Sequence, residues 1–196
     1  MNPVISGIHI FLPARNNMKK GIIASILLVI LVFSAIIFFQ KPADTIGTQQ
    51  GATTNKDATY AIEHMSIILR NGVSETMRVP GSASKTVTRY FGNEAAGDVN
   101  GDGKEDIAFL LTQSGEGSGT FYYAVVALKT DNGYIGTNGV LLGDRIAPQT
   151  TEIRNGSIIV NYADRAKNEP MTSKPSVGIS KYLTIHEGIL VESPIR

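Results

Sequence analysis

From residue 58 onward, apolar positions come in short runs, each closed by a dipeptide that reverses the chain. Asn71-Gly72, Asn132-Gly133 and Asn155-Gly156 stand between such runs, and Glu187-Gly188 is a weaker fourth case. Asn and Gly tolerate the positive φ that a two-residue hairpin turn needs, so each pair marks a β-hairpin. The runs they bound predict strands over residues 66–70, 85–91, 107–112, 120–129, 134–142, 152–154, 157–162, 179–186 and 189–192. Residues 59–65 are ambiguous, and nothing after residue 58 carries the 3.6-residue period of a long amphipathic helix.

Two of these runs do not alternate. Residues 107–111 (IAFLL) and 121–128 (FYYAVVAL) are apolar on both faces. A strand with one wet face alternates, so these two are expected to be central, covered on both sides and paired through the Gly/Ser loop 115–119. The pattern predicts an all-β fold, an antiparallel hairpin-rich sandwich or small barrel, preceded by one N-terminal transmembrane helix.

That helix is read from residues 21–39, GIIASILLVILVFSAIIFF, which contain no charge. As a helix the run is about 28 Å long, close to the hydrocarbon thickness of a bilayer. It is longer than a signal peptide's apolar region and ends without a small-x-small cleavage site, which predicts an uncleaved anchor. Arg15, Lys19 and Lys20 precede it, while only Lys41 follows closely. The positive-inside rule then puts residues 1–20 in the cytoplasm as a short tail, and all that follows outside. Met1 and Met18 both remain open as the translation start. Residues 40–57 are polar and small, which predicts a flexible tether, with an extracytoplasmic β domain over 58–196.

Charge narrows the partners. The whole chain is formally +1, with 18 Lys+Arg, but residues 58–196 hold 13 Lys+Arg against 15 Asp+Glu. A mildly acidic domain lacks the basic face that nucleic acid needs. The chain has no cysteine, which excludes disulfides, thiolate metal sites and a cysteine nucleophile.

The chemistry concentrates in one loop. Asp98, Asn100, Asp102 and Asp106 place oxygen side chains at relative positions 1, 3, 5 and 9, with Gly103 at position 6. Lys104 at position 7 contributes a backbone carbonyl. This spacing wraps a loop around a hard cation, with the glycine permitting the sharp turn, and predicts a Ca2+ site. In a helix–loop–helix calcium hand position 12 is a bidentate glutamate; here it is Phe109, inside an apolar strand. The segment therefore resembles the "GDxNGDGxxD" loops of FG-GAP (integrin-type propeller) repeats, which lead into a strand. One copy in a chain of this length does not make a propeller.

Over residues 81–192 the chain also resembles a small family of bacterial cell-envelope domains of unknown function. The shared segments, in order, are residues 81–84 (GSAS), 97–106 (the acidic loop), 117–123 (GSGTFYY) and 141–145 (LLGDR). The resemblance implies a bacterial, extracytoplasmic module and carries no catalytic residue.

Catalytic signals are weak. His9, His64 and His186 share no ligand spacing, and Ser82-x-x-Lys85 lacks the partner elements of penicillin-binding enzymes. Asp144-Arg145 and Asp164-Arg165 recur after apolar runs, and neighbours in a strand point to opposite faces, so neither pair is an ion pair by default. Tyr122, Tyr123, Tyr134 and Tyr162 read as core or edge residues. The expectation is a membrane-anchored, calcium-binding, non-enzymatic domain of the cell envelope, whose partners are the membrane and an envelope protein or polymer. The alternatives are an inhibitor of a wall-degrading hydrolase presented on the 114–120 loop, or a hydrolase using Asp144 and Asp164.

Overall fold

The computed structural model describes residues 51–77, 84–115 and 117–193. The expected cytoplasmic tail, the transmembrane run 21–39 and most of the tether lie outside the described residues. Among the described residues no helix is long and apolar enough to cross a membrane. The strands are β1 (Thr59–Ile62), β2 (Met65–Ile68), β3 (Val73–Met77), β4 (Lys85–Gly97), β5 (Asp106–Ser114), β6 (Phe121–Thr130), β7 (Gly133–Gly136), β8 (Val140–Asp144), β9 (Ala147–Arg154), β10 (Ser157–Asp164), β11 (Val177–His186) and β12 (Ile189–Glu192). All strand pairings are antiparallel, and the expected all-β class holds.

The strands form a six-stranded sheet in the order β3-β4-β5-β6-β7 with β8 also on β6, a four-stranded sheet β12-β11-β10-β9, and a β1-β2 ribbon. Side chains of β5 and β6 divide by parity between two cores. Ala108, Leu110, Ala124 and Val126 pack with Ile158, Val160, Tyr162, Leu183 and Leu190 of the four-stranded sheet. Phe109, Leu111, Tyr123, Val125 and Ala127 pack with Tyr60, Ile62, Ile67 and Leu69 of the ribbon. The two-faced apolar runs are thus two-faced because they are covered twice, and they pair directly as a hairpin, Phe109 opposite Val125.

Among the described residues four hairpin turns take two consecutive positive φ values: Glu63-His64, Asn71-Gly72, Asn155-Gly156 and Glu187-Gly188. Three of these are the dipeptides that mark hairpins in the sequence. The first carries neither Gly nor Asn, and it turns the ambiguous 59–65 stretch into β1, a tight turn and the start of β2. At Asn132-Gly133 only Gly133 takes a positive φ, 120°.

The expected strand 134–142 is in fact two. β7 runs along β6 to Gly136, opposite Ala127, and β8 resumes at Val140, opposite Ala124. Residues 137–139 stand opposite only Val125 and Val126, so the chain bulges. Thr137 repairs the gap: its amide donates to the Val126 carbonyl at 2.9 Å, and its hydroxyl accepts the Val126 amide at 3.0 Å. The backbone released by the bulge binds the ribbon, with the Ala61 amide donating to the Thr137 carbonyl (3.1 Å) and the Gly139 amide to the Ala61 carbonyl (2.7 Å). A Cβ on Gly136 would overlap the Thr59 carbonyl and lie 2.6 Å from the Tyr60 ring, so only glycine lets β1 approach. Asn138 turns the other way, donating to the Leu190 carbonyl (2.9 Å) and accepting its amide (2.8 Å).

The folded part also begins earlier than Ala58. Ala52 exchanges two backbone bonds with Tyr134 at 2.9 and 2.8 Å. Asn55 is buried, donates to Glu94 at 2.6 Å, and offers its carbonyl to the Tyr60 hydroxyl at 2.7 Å. Residues 51–57 have the composition of a tether because their hold is through backbone and polar groups rather than apolar side chains.

The bulge sets a test. Thr137→Val strands the buried Val126 amide and is expected to cost about 1–3 kcal/mol in denaturant unfolding. Asn138→Ala should do less to global stability but speed hydrogen exchange at the Leu190 amide, leaving the Val126 amide protected. Unchanged exchange at Leu190 would contradict the pinning.

Candidate metal loop and the polar residues around it

β4 ends at Gly97, where a Cβ would lie 3.0 Å from Ile153, and β5 begins at Asp106, directly opposite. The acidic loop is therefore the β4–β5 hairpin connection. Val99 is buried in the core shared with the four-stranded sheet and holds the loop down. Gly101 and Gly103 take φ of 81° and 79° with open space around them, so backbone conformation rather than crowding selects glycine there.

Side-chain oxygens organise the loop as successive turns. Asp98 Oδ1 accepts the amides of Gly101 (2.7 Å) and Asn100 (3.3 Å), and its Oδ2 accepts that of Gly103 (2.8 Å). Asn100 Oδ1 accepts the Asp102 amide (3.0 Å), and Asp102 Oδ1 accepts the Lys104 amide (2.8 Å). The amides of Gly103 and Gly101 hold the Asp98 carboxyl below its ordinary value.

Asp106 behaves differently. It is completely buried, and both oxygens are bonded: Oδ2 accepts the Val99 amide at 3.1 Å and Oδ1 the Lys129 amide at 2.8 Å. Burial pushes its pKa up, the two amides pull it down, and the charges of Asp102 and Asp98 push it up again; the net shift is upward. It pins the loop to β6. Among the described residues no three His, Cys, Asp or Glu side chains come together as a group that could hold a metal ion. Asp98, Asn100 and Asp102, with the Lys104 carbonyl, form the loop's remaining oxygen set. The Lys104 side chain reaches the β6–β7 turn and pairs with the exposed Asp131 at 3.1 Å, which raises its pKa. Asp131 lies far from the loop in sequence, and no local pattern marks it.

The Asp-Arg pairs tie turns and strand ends together. Arg145 has a φ of 49°, which swings its side chain back beside Asp144, so this adjacent pair does bond, Nη2 to Oδ2 at 3.1 Å. Asp144 Oδ1 also accepts the Thr120 amide at 2.8 Å. Arg165, nearly buried, donates to the carbonyls of Ser173 (2.7 Å), Arg145 (3.1 Å) and Asp144 (3.3 Å), tying the end of β8 to the end of β10. Asp164 Oδ1 accepts the Arg165 amide at 2.7 Å. His64 occupies the β1–β2 turn and His186 the end of β11. Tyr123 and Tyr162 are core residues, Tyr122 meets Phe91 edge to face, and Lys129 lies over the Tyr134 ring. Ser82 and Glu116 lie outside the described residues.

Asp106→Asn tests the pin. Asparagine offers one acceptor and directs an NH2 at the second amide, so the substitution is expected to destabilise by about 1–3 kcal/mol although it removes a buried charge. A gain in stability would mean that relief of burial outweighs the two amide bonds.

No protein-family model, curated protein or solved structure matches the chain, and the functional reading therefore rests on this geometry.

Proposed function

We propose that the chain is a single-pass, membrane-anchored β domain of sandwich type that takes one calcium ion in its 98–106 loop and acts by binding, without catalysis, at the bacterial cell envelope. The clustered oxygens of Asp98, Asn100 and Asp102 carry the reading, and beneath them the loop's buried base, Asp106, bonds both Val99 in the loop and Lys129 on β6. Whatever orders the loop therefore also steadies the central sheet. Oxygen donors alone are available at Asp98, Asn100, Asp102 and the Lys104 carbonyl, the hard-ligand chemistry that calcium prefers. Asp98 Oδ2, Asn100 Oδ1 and Asp102 Oδ1 each accept one amide and keep a second lone pair, so the turn network and a cation are compatible. A cation would also relieve the mutual repulsion of Asp98, Asp102 and Asp106. In this reading Asp106 supplies charge and support, and the other residues supply the ligands.

The anchor and its orientation rest on residues 21–39 and their flanking charges. Full-length protein is expected to stay in the membrane fraction through an alkaline wash, and protease added outside the membrane should release a domain starting upstream of Gly51. A soluble mature form trimmed near residue 43 would remove the anchor.

The metal is tested by melting. With few carboxylates, affinity on the order of 10⁻⁴ M is expected, as in extracellular modules. At ten times that concentration calcium would add about 1.4 kcal/mol, roughly 3–6 °C in Tm for a domain of this size. Magnesium should do much less, and Asp102→Ala should respond to neither ion. Identical melts with calcium and with chelator would remove the ion from the reading.

A further inference from the structure

Cross-strand partners point to the same face of a sheet. On the ribbon-covered face, the row Tyr90–Leu111–Tyr123–Leu141 is set by the registers of β4, β5, β6 and β8. Glu63, in the ribbon's turn, caps it by accepting the Tyr123 hydroxyl at 2.7 Å. The next row outward on that face is Thr88–Gln113–Phe121–Asp144. Here the ribbon ends and a cleft of about 440 Å3 opens, within the roughly 300–1,000 Å3 of ordinary ligand sites.

The lining is not that of a leftover gap. Gln113 and Thr86 are buried polar residues on central strands at the cleft's floor. Gln113 spends its amide nitrogen on the Thr88 hydroxyl at 3.2 Å, leaving its carbonyl oxygen for the cleft. Phe121 is 42 % exposed and its ring leans across Gly119, where a Cβ would lie 3.1 Å from the ring edge. The charges neutralise one another: Arg145 pairs with Asp144, and Lys85 with Glu75 at 3.0 Å. Arg145 keeps further N–H donors after that pairing. The cleft therefore presents both donors and acceptors, charges that are already paired, and one exposed aromatic ring. Phosphate or a metal ion would meet no surplus of opposite charge. An uncharged, hydroxyl-rich ring with an apolar C–H face matches all three properties.

We propose that this cleft binds an uncharged saccharide, with Phe121 as the stacking platform and Gln113, Asp144 and Arg145 as hydrogen-bonding partners of its hydroxyls. The proposal rests on the binding reading above and supplies its ligand class; it does not depend on calcium.

The test uses the full chain carrying 13C-labelled phenylalanine, in a detergent without a sugar head group. It is titrated with chitotriose, cellotriose and maltotriose, and with trigalacturonate as the charged control. The Phe121 ring signals are expected to shift saturably with at least one neutral trisaccharide, with trigalacturonate at least about tenfold weaker. Phe121→Ala should lower that affinity about tenfold or more without moving Tm, and Phe121→Tyr should restore it. Failure of every neutral sugar to shift Phe121, equal binding of the charged trimer, or undiminished binding by Phe121→Ala would each overturn the proposal. Mass analysis of the recovered sugar separates the two readings. A cleaved sugar upholds the cleft and refutes the non-catalytic role; absent binding with an intact calcium response refutes the cleft alone.

Discussion

A sheet whose two central strands are apolar on both faces must be covered twice, and the break at residues 136–139 is what attaches both covers. The tetrapeptide Gly136-Thr137-Asn138-Gly139 gives its backbone to β1, its Thr137 hydroxyl to β6 and its Asn138 amide to β12. The contacts to β1 and β6 depend on the bulge. Without the bulge Thr137 and Gly139 would pair along β6 and have nothing to offer Ala61; without glycine at 136 the ribbon could not come close enough to be offered it. Hydrophobic burial drives both covers onto the sheet but has no direction of its own. The hydrogen bonds at the break fix where each cover sits, because a buried amide left unpaired costs more than the bond itself is worth.

The acidic loop carries a related lesson about carboxylates. Asp106 has a structural explanation that needs no ion: only a carboxylate offers two acceptors and no donor, and two amides, of Val99 and Lys129, converge on it. Its position in a calcium-type spacing is therefore weaker support for calcium than it appears in the sequence. The case for an ion lies with the half-buried Asp98 and the exposed Asn100 and Asp102, whose side chains bond only within the loop. Those bonds prearrange oxygens while leaving lone pairs, and the surplus negative charge beside a buried carboxylate gives a cation something to relieve.

What was legible in the sequence was what is local. Asn71-Gly72 and Asn155-Gly156 turn as their residue types require, and the two apolar runs are central because they have no wet face. The acidic loop was legible because its pattern closes within nine residues, 98–106. The Glu63-His64 turn was hidden because neither residue favours positive φ, and β3 because its VSETM sequence has little apolar content. The split between β7 and β8 was hidden because only contact with β1 makes sense of Gly136. Residues 51–57 look like a tether until Tyr134 and Glu94 are placed beside them. The row Thr88–Gln113–Phe121–Asp144 is created by strand register and has no counterpart as a motif.

The costly backbone conformations point to the same region. Most positive φ values fall on Gly or Asn, which bear them cheaply, or on a Glu followed by Gly. Glu63, His64 and Arg145 are the departures; Glu63 lies in the ribbon's turn beside Tyr123, and Arg145 follows β8 at the rim of the cleft. If those turns served compactness alone, glycine would form them with less strain. Glycine would not supply the carboxylate that accepts the Tyr123 hydroxyl, nor the guanidinium that pairs with Asp144. The fold spends local strain to keep a charged side chain on each of two neighbouring rows, Glu63 at Tyr123 and Arg145 at Asp144. The boundary between those rows separates the part of the sheet covered by the ribbon from the part where the cleft opens.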